Sequence, residues 1–242
     1  MTRELCILVH GFTGSPDELA PLATALRHLG YEVQIPMLPG HGGTKMDLEQ
    51  ATASAWMQSI EPMVQAGLAR GRVHLIGFSM GAMLSAVLAS KWPVASLTML
   101  SPAVFYVGTS QVFRQIATVI KETWKDGQFQ QSYVKQRIAK MSQTPLRSIK
   151  QFRRMVNMGK SALPNVNVPV CVIQGEKDEV VEPRGATYAY NTVATDDKQI
   201  HFLHESSHLV CYGPEADRLN KVVIAFLSDH REKQTPQDGI HA

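Results

Sequence analysis

Cysteine is scarce: Cys6, Cys171 and Cys211 are the only three in 242 residues. None forms a CxxC pair and one is left over after any single disulfide, so neither a zinc framework nor a disulfide scaffold is indicated; reduced thiols are expected. Long apolar runs are also missing. Leu5–Val9 and Val222–Leu227 fall far short of the roughly 20 residues that cross a bilayer, so no stable membrane insertion is expected. The opening Met1-Thr2-Arg3-Glu4 runs through a short apolar stretch into His10-Gly11 without a small-residue cleavage site, and a cytoplasmic location is expected. Charge of one sign is lacking too: 24 basic against 21 acidic residues leave a formal net charge of +3, too slight for a nucleic-acid binder. No HExxH metal motif and no GxxxxGK phosphate loop occurs, and internal repeats are not evident. With 44% hydrophobic, 19% charged and 7% aromatic residues, the chain is neither disordered nor collagenous. Its length suits one sizeable α/β domain or two small ones.

What is present is an alternation of short apolar runs with longer amphipathic stretches, the pattern of a parallel sheet with helical crossovers. Six strands are predicted, near Leu5–His10, Tyr31–Ile35, Arg72–Gly77, Ser96–Ser101, Val168–Gln174 and Gln199–Leu203. The first helix is expected to start at Ser15-Pro16-Asp17-Glu18, with Ser15 as cap, Pro16 at the first position and Glu18 closing a capping box, and to end near Gly30. Further helices are expected near Ala53–Ala69, Met80–Lys91, Pro183–Val193 and Pro214–His230, and a loose polar tail over 232–242. The alternation stops after Ser101-Pro102 and resumes at Val168. Between Ala103 and Pro164 stand eleven Lys or Arg and two acids, a local charge of +9 that leaves −6 for the rest. Val112, Phe113, Ile116, Val119, Ile120 and Trp124 share one helical face there. The division expected is therefore a core of 1–101 and 165–231 with a helical cap inserted at 102–164. The stripe either packs the insert onto the core or also lines a pocket.

The most informative stretch is Gly77-Phe78-Ser79-Met80-Gly81, a Gly-x-Ser-x-Gly between a predicted strand and a predicted helix. Its glycines let strand and helix approach, lifting the Ser79 hydroxyl into the open. A serine needs a base, and a carboxyl behind the base. Of nine histidines, His208 follows the last predicted strand and can reach the same sheet edge; His201 and His204 fit structural roles better. Asp178 lies just past the fifth strand, with Glu176 and Glu179 beside it. The order Ser79, Asp178, His208 is that of α/β-hydrolases, and each residue follows a predicted strand end, where wound sheets bind ligands. Amide donors for a developing oxyanion are expected from Met80 and from Phe12 in His10-Gly11-Phe12-Thr13-Gly14.

These residues resemble the α/β-hydrolases, and among them the small bacterial carboxylesterases and monoacylglycerol lipases. The resemblance spans nearly the whole chain through His10–Gly14, Pro39-Gly40-His41-Gly42, Gly77–Gly81, Gln143-Thr144-Pro145, Asp178-Glu179-Val180-Val181 and Ser207-His208. Ala82 departs from a second glycine found in many relatives. The similarity implies an α/β-hydrolase fold with a mainly parallel central sheet, helices on both faces and a small helical cap. It also implies Ser79 as nucleophile with Asp178 and His208, Phe12 and Met80 as oxyanion donors, and no cofactor. Phe12, Phe105, Ile116, Val119 and Trp124 are the candidates for an acyl pocket. The expected activity is hydrolysis of short to medium chain carboxylic esters or monoacylglycerols, by a monomer or weak homo-oligomer acting on a small-molecule ester. The alternatives are a thioesterase or lactonase on the same residues, and a binding protein of this fold with little turnover.

Overall fold

The computed structural model describes residues 3–106 and 144–231. Six strands, β1 Arg3–Val9, β2 Glu32–Gln34, β3 Gly71–Phe78, β4 Ser96–Leu100, β5 Val170–Gly175 and β6 Lys198–Leu203, form one sheet in the order β2-β1-β3-β4-β5-β6. Every adjacent pair is parallel. The inner strands β4 and β5 are buried along their whole length, as strands covered on both faces are. The edge strand β2 is only partly buried throughout. All six lie within a few residues of their predicted places.

Winding runs from β1 outward to β2, then returns across β1 to β3 and proceeds the other way. The reversal falls between β1 and β3, so the loops after these two strands flank the crevice in which open α/β sheets hold ligands.

Seven helices are described: α1 Ala20–His28, α2 Lys45–Gln50, α3 Ala53–Leu68, α4 Met80–Ala89, α5 Leu146–Ala162, α6 Arg184–Thr192 and α7 Ala216–Asp229. All ten residues of α4 are buried. A helix without a polar face must be covered all round, and α5 covers α4 closely enough that a Cβ on Gly159 would lie 2.6 Å from the Met83 Cβ. Helix α5 falls within the stretch expected as cap, while Ala103 and Val104 are buried in the core and Tyr106 bridges antiparallel to Val181. Residues 107–143 and 232–242, with the predicted stripe and tail, lie outside the described residues.

Two local readings change. The first helix opens as a 3-10 turn over Pro16–Leu19 before α1 begins. Pro21 has no N–H for the Asp17 carbonyl four residues back; that oxygen accepts Ala20 N–H and the Tyr212 hydroxyl at 2.6 Å. Helix α2 was not expected, although Thr44 and Asp47 form a capping box at its start; Thr-Lys-Met-Asp is the signature of one.

Candidate active site

Among the described residues, three that are not glycine have left-handed backbones: Thr13 (φ 59°), Ser79 (φ 55°) and Ser101 (φ 42°). They follow β1, β3 and β4, so the backbone strain gathers along one edge of the sheet, the pattern of functional sites. The turn at Ser79 exists because its neighbours lack side chains. A Cβ on Gly77 would lie 2.3 Å from the Gly81 carbonyl oxygen, and one on Gly81 would lie 2.1 Å from that of Val9. The second contact also brings the start of α4 against the end of β1. Ser79 is anchored by its N–H to the Leu100 carbonyl at 2.9 Å and remains 7% exposed.

His208 sits between Ser79 and Asp178. Its Nδ1 lies 2.8 Å from Asp178 Oδ2 and its Nε2 lies 3.1 Å from Ser79 Oγ. A carboxylate acceptor at Nδ1 puts the neutral ring's proton there, leaving the Nε2 lone pair toward the hydroxyl. All three predicted residues therefore converge, from positions up to 129 residues apart. Asp178 is fixed locally, its Oδ1 accepting the Val180 and Val181 amides at 2.9 Å each, the turn chemistry of an Asp whose side chain caps the following backbone. The rivals lie elsewhere: His204 pairs with Glu176, and His201 Nε2 with Gln199 Oε1.

The remaining predicted residues divide. Met80 opens α4, where the first amides of a helix have no intrahelical acceptor. Phe12 is 4% exposed, its ring stacked on Phe152 with centroids 5.1 Å apart and edge-on to His41 and Trp56. Phe105 lies at the seam of α5 and α6, with Lys160 and Arg184 over its ring and Tyr188 edge-on. Ile116, Val119 and Trp124 lie outside the described residues.

Four positions with a part in the site were not found from the sequence. Gln174 Nε2 donates to Asp178 Oδ2 at 2.8 Å. Ser101 Oγ donates to the His208 carbonyl at 3.2 Å. Gly175 lets the two loops meet, since a Cβ there would lie 2.3 Å from the Ser206 carbonyl oxygen. Glu215 holds the start of the histidine loop, accepting Glu205 N–H at 2.8 Å and the Ser206 hydroxyl at 3.1 Å. Only Gly175, directly after a predicted strand, carried a signal of close approach.

Among the described residues no group of three or more His, Cys, Asp or Glu could hold a metal ion, and no helix is long and apolar enough to cross a membrane. The three cysteines are free and buried. Burial pushes the thiols of Cys171 and Cys211 up to about 12, with Glu18 adding to the effect at Cys211, and raises that of Cys6 as well.

A wound parallel sheet whose third strand turns sharply through a serine, with a histidine and an acid delivered from the last two strand ends, defines an α/β-hydrolase. The chain belongs to the Hydrolase_4 family, described as serine aminopeptidase, S33, which matches residues 1–215. It is similar to the thermostable monoacylglycerol lipase of Bacillus sp. (strain H-257), 27% identical over 235 residues that cover 93% of this chain and 90% of the relative. It is also similar to the carboxylesterase of Bacillus subtilis (strain 168), 22% identical over 223 residues covering 91% of each. A solved structure described under LipS and LipT, two metagenome-derived lipolytic enzymes, shares the fold with a TM-score of 0.77 at 23% identity over 95% of each chain.

Proposed function

We propose that this α/β-hydrolase is a serine esterase that cleaves carboxylic esters of short to medium acyl chain, or monoacylglycerols, through an acyl-enzyme. The observation that carries the reading is the unbroken path from Ser79 Oγ through the His208 ring to Asp178 Oδ2, with links of 3.1 and 2.8 Å. Ser79 Oγ attacks the ester carbonyl as His208 Nε2 takes its proton, and Asp178 supports the imidazolium. The amides of Met80 and Phe12 receive the oxygen that becomes negative. His208 then protonates the departing alcohol. Water attacks the acyl-enzyme with His208 again as base, releasing the acid and restoring Ser79. The choice of substrate is supported by the monoacylglycerol lipase and carboxylesterase among the relatives, each matched over about nine-tenths of its length.

The test is a chain-length series of p-nitrophenyl esters with monoacylglycerols, thioesters and lactones, run on wild type and Ser79→Ala, with a fluorophosphonate probe. The expected result is ester cleavage and labelling in the wild type, with kcat lowered by about 10⁶ in the variant. Undiminished turnover by Ser79→Ala removes this serine from the mechanism. A preference for thioesters or lactones replaces the substrate class, and labelling without turnover favours the binding protein.

A further inference from the structure

The loop His10–Gly14, between β1 and the 3-10 turn at Pro16–Leu19, has a conformation that its own sequence does not favour. Thr13 is β-branched and sits at φ 59°, a region that such residues avoid. Something outside the loop must hold it, and three contacts converge on Gly11. On one side, the Gly11 N–H donates to Glu18 Oε2 at 2.9 Å. On the other, the Gly11 carbonyl accepts Gly14 N–H at 3.1 Å and lies 2.9 Å from His10 Nδ1. His10 Nε2 accepts the Leu38 amide at 3.0 Å, so the neutral ring carries its proton on Nδ1 and donates it to Gly11. Both peptide units flanking Gly11 are thereby fixed.

The second unit matters for the chemistry. A trans peptide points its C=O and N–H in opposite directions, so whatever pins the Gly11 oxygen also aims the Phe12 N–H. Glu18 is 2% exposed, unusual for a carboxyl group, and its turn is tied to the segment after β6 by the Tyr212 hydroxyl, which donates to the Asp17 carbonyl. The loop is built to admit it: a Cβ on Gly14 would lie 2.1 Å from Glu18 Oε2. Gly14 is therefore a glycine because the carboxyl group occupies the space that a side chain would take.

We infer that Glu18 is a positioning residue: its buried carboxyl holds the His10–Gly11 peptide by the Gly11 N–H, while His10 and Gly14 hold the Gly11 carbonyl, so that together the two fixed units preset the Phe12 N–H for the oxyanion. The inference rests on the esterase reading above and names the group that prepares its oxyanion site. Preset donors stabilise the transition state more than the bound ester, so loss of the clamp lowers kcat and leaves KM.

The test uses Glu18→Leu, Glu18→Gln, Glu18→Asp and Gly14→Ala on p-nitrophenyl butyrate, with thermal melts, and the affinity of a boronic acid that mimics the tetrahedral adduct. Loss of one oxyanion donor lowers kcat by about 10²–10³, an upper bound for a group acting through it. Glu18→Leu and Gly14→Ala are expected to lower kcat about tenfold to hundredfold. KM should stay within about twofold, and the boronic acid should weaken by the same factor as kcat/KM. Glu18→Gln, which keeps an acceptor, should stay within about threefold of wild type, and Glu18→Asp, which withdraws it, should behave like Glu18→Leu. Gly14→Ala should add little in the Glu18→Leu background, because the two act on one contact. A folded Glu18→Leu or Glu18→Asp with unchanged kcat overturns the clamp, as does a kcat loss that Gln does not rescue. If Glu18→Leu fails to fold, Glu18→Asp and Gly14→Ala decide by the same criteria. A wild type that neither hydrolyses esters nor takes the fluorophosphonate overturns the esterase reading and the inference with it; an active, labelled wild type with indifferent Glu18 variants overturns the inference alone.

Discussion

Gln174 Nε2 and His208 Nδ1 both lie 2.8 Å from the same oxygen, Asp178 Oδ2. Gln174 is fully buried and its Nε2 also donates to the Gly175 carbonyl at 3.1 Å, so the amide locks the carboxyl group to the end of β5. Hydrogen bonds to charged groups contribute about 1.5–3 kcal/mol. Gln174→Met is therefore expected to lower kcat about tenfold to hundredfold with the fold retained, and Gln174→Glu to lower it further by facing one carboxyl group with another. Unchanged kcat in a folded Gln174→Met would show that the two amides of Val180 and Val181 hold Asp178 alone.

Gly175 and Gly30 provide a contrasting pair. A Cβ on Gly175 would lie 2.3 Å from the Ser206 carbonyl oxygen and 2.5 Å from that of Ser207, so Gly175→Ala must push the histidine loop away from Asp178. The expected loss is about 1–3 kcal/mol of stability and about a hundredfold in kcat, as for a displacement of roughly 1 Å at a catalytic group. Gly30 follows α1 at φ 83° with open space around it. There, Ala should cost about 1–2 kcal/mol of backbone strain and leave kcat alone. Urea melts and initial rates on both variants check the separation.

His74 gives stability a pH dependence far from the site. It is fully buried on β3, with Nε2 at 2.8 Å from Glu4 Oε2 and Nδ1 at 2.8 Å from Ser96 Oγ. Burial holds its imidazole below the ordinary 6.5, with Arg72 and His230 acting the same way and Glu4 opposing. The unfolded chain therefore takes up the proton first. This contribution to stability is complete above about pH 6.5 and is lost as pH falls toward the folded value, by at most about 1.4 kcal/mol per unit. His201, shifted down by burial and Arg218, adds in the same direction. Urea unfolding of wild type and His74→Gln between pH 7.5 and 5.5 should show a shallower slope in the variant; parallel slopes would mean that His74 keeps its solution affinity for protons.

The cysteines should be silent in the native protein. Cys6, Cys171 and Cys211 are free and buried, and burial disfavours the thiolate of each, the form that reacts. Iodoacetamide at pH 8 is expected to leave mass and activity unchanged, and to add three groups in guanidinium. Native labelling of Cys211, which sits near Glu18, would show that the segment after β6 opens.

Much of this molecule is written in its local sequence. Apolar runs such as Leu5–Val9 and Val170–Ile173 fit strands covered on both faces, and both stand in strands, β1 and β5. Half of the Gly-x-Ser-x-Gly turn is local, since a Cβ on Gly77 would meet the backbone of Gly81 and Ala82, whereas Gly81 is required by the distant backbone of Val9 and His10. Ser79, Asp178 and His208 were legible because each lies in the loop that leaves the carboxyl end of a strand, after β3, β5 and β6. Glu18 was legible only as a helix cap, since the amide it clamps belongs to another loop.

The sequence by itself determined the parallel architecture, the elbow and the three residues that meet there, because short-range sterics and hydrophobic period act within a few residues. Tertiary structure alone decided which groups steady them: Gln174 on Asp178, Ser101 on the His208 carbonyl 107 positions away, Glu18 on Gly11. Those contacts depend on where separate strand ends come to lie, and a polar side chain finds its partner only after burial has removed water as the alternative.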